Sequence, residues 1–329
     1  MHRICDQRYR ARDQPARDLR QPEGQVDRHR RRKVAIARLS MVMRVIVWHE
    51  YLPDSPTPLP SPAATGASIP AAHRHPRFDK PRGSVQLAPA TAPEAPPMSD
   101  PIALIVGTGS GLSAALARRF RRAGYHPVLA ARDTTKLAAL AQETGATCQR
   151  CEASDPASVA ALFASLPASP RVVVYNPSAR ERGPLTDIDP AGVRRALEVT
   201  AFGAFLVGQA ATRAMLAATP IDGTHGTILF TGASAGVKGF AQSAPFAMGK
   251  FAQRGLAQSM SRELHPKGIH VAWVNIDGQI RNPGRTEPPE APDSMLAPDA
   301  IAETYLMLVN QPRSAWSEEI AVRPWVERF

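Results

Sequence analysis

From Pro101 to the C-terminus, short apolar runs alternate with stretches whose apolar residues recur at helical spacing. The runs "IALIV" (102–106), "PVLAA" (127–131), "ATCQR" (146–150), "RVVVYN" (171–176), "GTILFTG" (226–232), "IHVAWVNI" (269–276) and "EEIAVR" (318–323) read as strands, several of them apolar enough to be buried on both faces. Helices are expected over 114–124, 134–145, 155–166, 190–218, 243–265 and 298–310. Their ends are marked by Gly145 as a stop, by Asp155 as an N-cap with Pro156 at the first helical position, and by Asp187 and Asp189 as caps before the long helix. Strands that alternate with helices need crossover connections, and these give a parallel sheet covered on both sides. The pattern predicts one doubly wound α/β domain.

Residues 1–97 break the pattern. They hold 17 of the 40 Lys+Arg, 9 of the 29 Asp+Glu and 14 of the 32 prolines, so most of the net charge of +11 belongs to them. Pro-rich sequence without periodicity buries too little apolar surface to offset its ordering entropy. The apolar patch "MVMRVIVW" (41–48) is far shorter than the roughly 20 residues a membrane-spanning helix needs. No uninterrupted apolar core follows the basic start, and Asp6, Asp13, Asp18, Glu23 and Asp27 argue against a mitochondrial presequence. No aromatic interleaving accompanies the Arg run, which argues against a nucleic-acid-binding arm. "MSDPIALIVGTGSG" opens at Met98 like the start of a domain, so the expected organisation is a disordered or untranslated extension over 1–97 and a domain over 98–329. Three cysteines exclude a disulfide framework and suggest a reducing, cytoplasmic setting. Cys148 and Cys151 form a CxxC with no second ligand pair, and packing is their expected role rather than metal or redox chemistry.

Between the first strand and first helix lies "GTGSGLS". Gly107 and Gly109 suit a tight turn, and Gly111 lets backbone approach a dinucleotide pyrophosphate at the helix N-terminus. With these residues in place, the chain from 101 to 329 resembles the short-chain dehydrogenase/reductase superfamily, a Rossmann-type fold. Gly107-Thr-Gly109-Ser110-Gly111-Leu112-Ser113 matches its Gly-xxx-Gly-x-Gly loop, with Ser113 in place of the last glycine. The resemblance implies a nicotinamide cofactor held by Gly107, Gly109, Ser110, Gly111, Leu112, Glu152, Asn176, Lys250 and Ile280. Arg132, where the family's NAD users place an acid, implies NADP(H) over NAD(H) through its 2′-phosphate. Asn176-Pro-Ser178 stands where the family has Asn-Ala-Gly, and Ile276-Asp277-Gly278-Gln279-Ile280 corresponds to its Pro-Gly-x-Ile region.

The catalytic positions depart. The family's Tyr-xxx-Lys pair, set on one helix face by its i, i+4 spacing, reads Phe246-Ala-Met-Gly-Lys250 here. Thirteen residues before Phe246, where the family places Ser, stands Ala233; Ser234 lies one position on, and Thr200 replaces the family's helper Asn. A phenyl ring neither gives nor takes a proton, and the candidates to substitute for the acid are Ser234, Ser243, Ser178, Tyr175 or water on Lys250. His225, His265 and His270 read as surface or capping residues.

Two functions follow. One is an NADP(H)-dependent oxidoreductase acting on a small molecule that needs no tyrosine acid, such as an activated C=C bond. The other is a noncatalytic NADP(H)-binding sensor or partner subunit. The resemblance implies a homodimer or homotetramer built on the Ala- and Gly-rich helices at 190–218 and 243–265, with no membrane or nucleic-acid partner. "RPWVERF" is expected to reach a neighbouring subunit, and the loop 281–298, the family's substrate lid, to leave an open pocket.

Overall fold

The computed structural model describes residues 100–327; the extension expected over 1–97 lies outside them. The strands are β1 (Ile102–Val106), β2 (His126–Ala131), β3 (Thr147–Arg150), β4 (Val172–Tyr175), β5 (Gly226–Thr231), β6 (Ile269–Ile276), β7 (Gln279–Ile280), β8 (Met295–Leu296) and β9 (Glu319–Val322). Seven of them form one sheet in the order β3-β2-β1-β4-β5-β6-β9, every neighbouring pair parallel. The helices are α1 (Leu112–Arg122), α2 (Ala138–Thr144), α3 (Pro156–Ala164), α4 (Pro190–Leu197), α5 (Gly203–Ala217), α6 (Ala244–Leu264) and α7 (Pro298–Val309). This is the Rossmann-type α/β architecture that the alternation of strands and helices predicts.

Both sheet faces are dry because successive strand residues point to opposite sides and each side is apolar. Ile102, Leu104 and Val106 join Val173, Ile228, Phe230, Val271 and Trp273 in a core covered by α3, α5 and α6. Ala103 and Ile105 join Val174, Leu229 and Val274 in a second core covered by α1 and α7. The caps act as the sequence suggests at Asp155, Gly145 and Asp189. Asp155 accepts hydrogen bonds from the backbone N–H groups of Ala157 and Ser158, and Gly145 ends α2 with φ 64°. Before α4 the capping falls to Asp189, which accepts from Ala191 and Gly192; Asp187 instead closes a turn through its own N–H to Pro184.

The long helix expected over 190–218 runs from Pro190 to Ala217 and carries a π turn over Glu198–Phe202 between α4 and α5. One local expectation is corrected. His270 is buried rather than at the surface, because it sits on β6 beside the β9 edge. Its ring stacks on Trp316 at 4.9 Å, its Nε2 lies 2.9 Å from the Ser317 carbonyl, and His265 packs edge-on against both rings. In the loop after β6, β7 and β8 pair, and Met295 and Leu296 are buried. The C-terminal segment turns back on its own chain: the Trp325 indole N–H donates to Asp293 of that loop at 3.3 Å, and Glu327 reaches a cavity wall. Cys151 packs in the first core and Cys148 against the second, and burial pushes both thiols up.

Close backbone contact decides one test. A Cβ at Gly203 would lie 2.4 Å from the Tyr175 hydroxyl and 2.7 Å from the Ala153 carbonyl oxygen, whereas one at Gly255 on α6 meets nothing within 4 Å. Gly203→Ala is expected to lower stability by about 1–3 kcal/mol. Gly255→Ala is expected to raise it by about 0.5–1 kcal/mol, from the lost flexibility of the unfolded chain. Urea unfolding followed by circular dichroism checks both.

Candidate active site

In this strand order the chain leaves β1 and β4, which are neighbours, in opposite directions, and the crevice at their C-terminal ends is the place for a ligand. The loop after β1 starts with Gly107 at φ 80°, a conformation that favours glycine. The ideal Cβ position of Gly107 lies 2.6 Å from Pro177 Cγ, so the proline ring packs where a side chain would stand. Asn176 donates from Nδ2 to Ser113 Oγ at 2.8 Å and to the Gly107 carbonyl at 3.3 Å, and Ser113 Oγ donates to the same carbonyl at 3.2 Å. Ser113 and Asn176 therefore brace the loop from the α1 side and the β4 side. Beyond that brace, no protein acceptor engages the backbone N–H groups of Gly109, Ser110, Gly111 and Leu112 among the described residues. Unpaired N–H groups at a helix N-terminus are complementary to a pyrophosphate, and this loop fits one.

Gly107, Gly109, Gly111, Leu112, Asn176, Phe246, Lys250 and Ile280 line one cavity of about 530 Å³. Ser110 stands exposed at the loop tip. Arg132 and Glu152 lie at the ends of β2 and β3, with Arg132 Nε 4.0 Å from Glu152 Oε2 and its side chain 78% exposed. A pair that long and wet contributes about 0–1 kcal/mol, so the guanidinium is available to another anion. Glu152 also accepts from the Ser154 hydroxyl at 2.8 Å.

Lys250, on α6, is fully buried. Its Nζ donates to the Thr231 carbonyl at 2.5 Å and to Gln253 Oε1 at 3.2 Å. Burial, and then the charge of Arg180, lower its pKa from 10.5 to about 7. Gln253 also takes the Trp273 indole N–H at 3.4 Å and donates to the Thr200 carbonyl at 3.3 Å. The π turn presents that carbonyl, and Thr200 Oγ1 accepts from the Ala179 N–H at 3.1 Å. Gln253 is not among the residues expected from the sequence; its i, i+3 spacing from Lys250 is the one signal for it.

Phe246 is buried, and Arg180 lies over its ring with Cζ 4.1 Å from the centroid. Nothing in the sequence around Arg180 points to that placement. An adjoining cavity of about 640 Å³ shares Arg180, Arg182, Ala233 and Phe246 with the first and adds Ser234, Lys238, Ser243 and Glu327. Ser234 thus reaches the cleft, and its hydroxyl has no protein partner among the described residues. Ser178 lines the glycine-loop cavity and Ser243 the outer one. Tyr175 is excluded as a proton source: it is fully buried, donates to the Val199 carbonyl, and desolvation pushes its pKa far up. The Thr231 hydroxyl is paired with Tyr305 at 2.8 Å.

Comparisons with known proteins agree with this geometry. The short chain dehydrogenase family model matches residues 101–281, and the chain belongs to that oxidoreductase family, whose members bind nicotinamide cofactors. A sepiapterin reductase from Chlorobaculum tepidum is 28% identical over 242 residues, covering 68% of this chain and 96% of that protein. The crystal structure of a short-chain dehydrogenase from Rhodopseudomonas palustris is similar at 31% identity and TM-score 0.58, covering 68% of this chain and 98% of that one. A metagenomic short-chain oxidoreductase in complex with NADP is similar at 26% identity and TM-score 0.59, covering 69% and 98%.

The buried ammonium makes a pH prediction. Below about pH 7 Lys250 is protonated in both states, and the full desolvation penalty, on the order of several kcal/mol, weakens the fold. Between about pH 7 and 10.5 the unfolded chain holds a proton that the folded chain has released, so stability rises with pH. Urea midpoints of wild type and Lys250→Met over this range are expected to show that rise in wild type only.

Proposed function

We propose that this chain is an NADP(H)-dependent oxidoreductase whose substrate is reduced without a tyrosine acid. The observation that carries the reading is the row of free N–H groups from Gly109 to Leu112, opening into the cavity floored by Lys250. The cofactor supplies hydride. The glycine loop receives its pyrophosphate, Arg132 its 2′-phosphate, Lys250 its nicotinamide ribose, and Glu152 and Ile280 flank the two ends. The similar structure that holds NADP and the relative named as a reductase support reductive use of NADPH.

With Phe246 at the acid's place, an activated C=C bond protonated on carbon by solvent suits the site, with Lys250 and Ser234 as the nearest proton-bearing groups. A cytoplasmic setting is part of this reading. A noncatalytic NADP(H) sensor is the second reading. It is favoured by the commitment of the Lys250 amine to Thr231 and Gln253 and by the covering of Phe246 with Arg180.

Titration of the full chain with NADPH and NADH, by calorimetry or by quenching of Trp273, Trp316 and Trp325, tests the cofactor. NADPH is expected to bind more tightly, and Arg132→Ala to weaken NADPH by about 10-fold or more while leaving NADH nearly unchanged. No binding of either nucleotide would defeat both readings. Turnover then separates them: an enzyme oxidises NADPH with enone or carbonyl acceptors and loses this in Lys250→Ala, whereas a sensor binds without turnover. Phe246→Tyr asks in addition whether the pocket still accepts ordinary ketones.

The proposed oligomer uses α5 and α6. Phe205, Met248 and Phe251 are 42%, 50% and 45% exposed there, and Phe202 and Phe205 stack at 6.3 Å. The double substitution Phe205→Glu with Phe251→Glu is expected to turn a dimer or tetramer into a monomer, read by light scattering after gel filtration.

A further inference from the structure

We infer that the substrate carries an anionic group, a carboxylate or a phosphate, and that Arg180 and Arg182 receive it beside Phe246. The inference rests on the oxidoreductase reading and adds the chemical class of its substrate. Both arginines line the glycine-loop cavity and the outer cavity, so they stand where the two meet. Arg180 holds its guanidinium over the Phe246 ring, with Cζ 4.1 Å from the centroid. A phenyl ring takes up none of the five N–H donors as a hydrogen-bond acceptor of the carboxylate kind, so donors remain for a planar or tetrahedral anion. No hydrogen bond or ion pair to either guanidinium exists among the described residues.

The loop that carries them is held at two points. The Ala179 N–H donates to Thr200 Oγ1 at 3.1 Å, and the Gly183 N–H donates to the Gln242 carbonyl at 3.2 Å. The arginines are thus presented to the cleft from a pinned segment. Other charges do not cancel them. Lys238 adds a cation to the outer wall and Arg285 one to the inner wall. Of the acids there, Asp277 faces Arg323 at 3.5 Å, which leaves Glu327. Partial burial, and then the charges of Arg182 and Arg285, lower the pKa of Arg180, as expected of a cation without a counter-ion. An anion entering such a cleft gains charge-assisted hydrogen bonds and relieves repulsion already present in the free protein.

The cofactor's own phosphates are a competing source of the same chemistry. The free N–H groups at the start of α1 already suit the pyrophosphate. Arg285 belongs beside it, since it closes a turn with Asn282, whose Cβ lies 3.4 Å from the ideal Cβ position of Gly111. Arg180 and Arg182 also line the outer cavity, whose walls contain no residue of the glycine loop.

The test is calorimetric titration of the full chain with inorganic phosphate and with acetate, alone and after saturation with NADP⁺. Arg180→Gln and Arg182→Gln are compared with Arg122→Gln, an exposed control at the end of α1. One anion is expected to bind with the cofactor in place, weakened about 10- to 100-fold in the first two variants and unchanged in the third. If Arg180→Gln fails to fold, Arg182→Gln carries the comparison. No saturable binding, binding indifferent to both substitutions, or binding that NADP⁺ abolishes would overturn the inference; the last would assign the arginines to the cofactor. Phosphate binding that needs Arg180 in a chain that binds no nucleotide would sustain the anion site while defeating the proposed cofactor.

Discussion

A primary amine buried at the bottom of a cleft has to find acceptors within the protein, because leaving it unpaired away from water would cost several kcal/mol. Lys250 finds them in the Thr231 carbonyl at the end of β5 and in Gln253 one turn along α6. Gln253 in turn engages Trp273 on β6 and the Thr200 carbonyl in the π turn. The need to satisfy one cation thereby ties two central strands, the longest helix and the interrupted helix together at the wall of the cavity. The same burial, with the charge of Arg180, holds its pKa near neutrality and so sets the proton affinity of the cavity floor.

Three residues at which the sequence leads one to expect a departure from the family pattern make contacts at the crevice. The Ser113 hydroxyl is the partner of Asn176. The Pro177 ring packs where Gly107 has no side chain. The Phe246 ring is the seat of Arg180.

The fold was largely legible because apolar runs and helical spacing are local signals: each sheet strand appears within about two residues of its expected place, and Asp155 and Gly145 act where their chemistry predicts. Gly107, Gly109, Gly111, Asn176, Phe246 and Lys250, which the family resemblance singles out, line one cavity. Contacts made at long range were not legible. Nothing in the neighbourhood of Arg180 announces a ring 66 positions away, and the burial of His270 depends on Trp316 arriving from beyond α7. Tyr175 looked available because its sequence position adjoins the site; its direction, into the core, is a property of strand alternation at the end of β4.

The π turn has a consequence for the phase of the helix that contains it. A residue advances an α-helix by about 100°, and a π turn amounts to one extra residue within the helix. Met215 and Gly208 on α5 therefore keep their orientation toward the sheet and Met260 only because Glu198–Phe202 absorbs that offset from α4. Shortening the segment by one residue would leave two regular helices in sequence but turn one against the other. Either the Asp189-capped start or the sheet-facing side would then point elsewhere. The segment that looks like an irregularity is a phase adjuster, and its length is as constrained as the identity of the residues it carries.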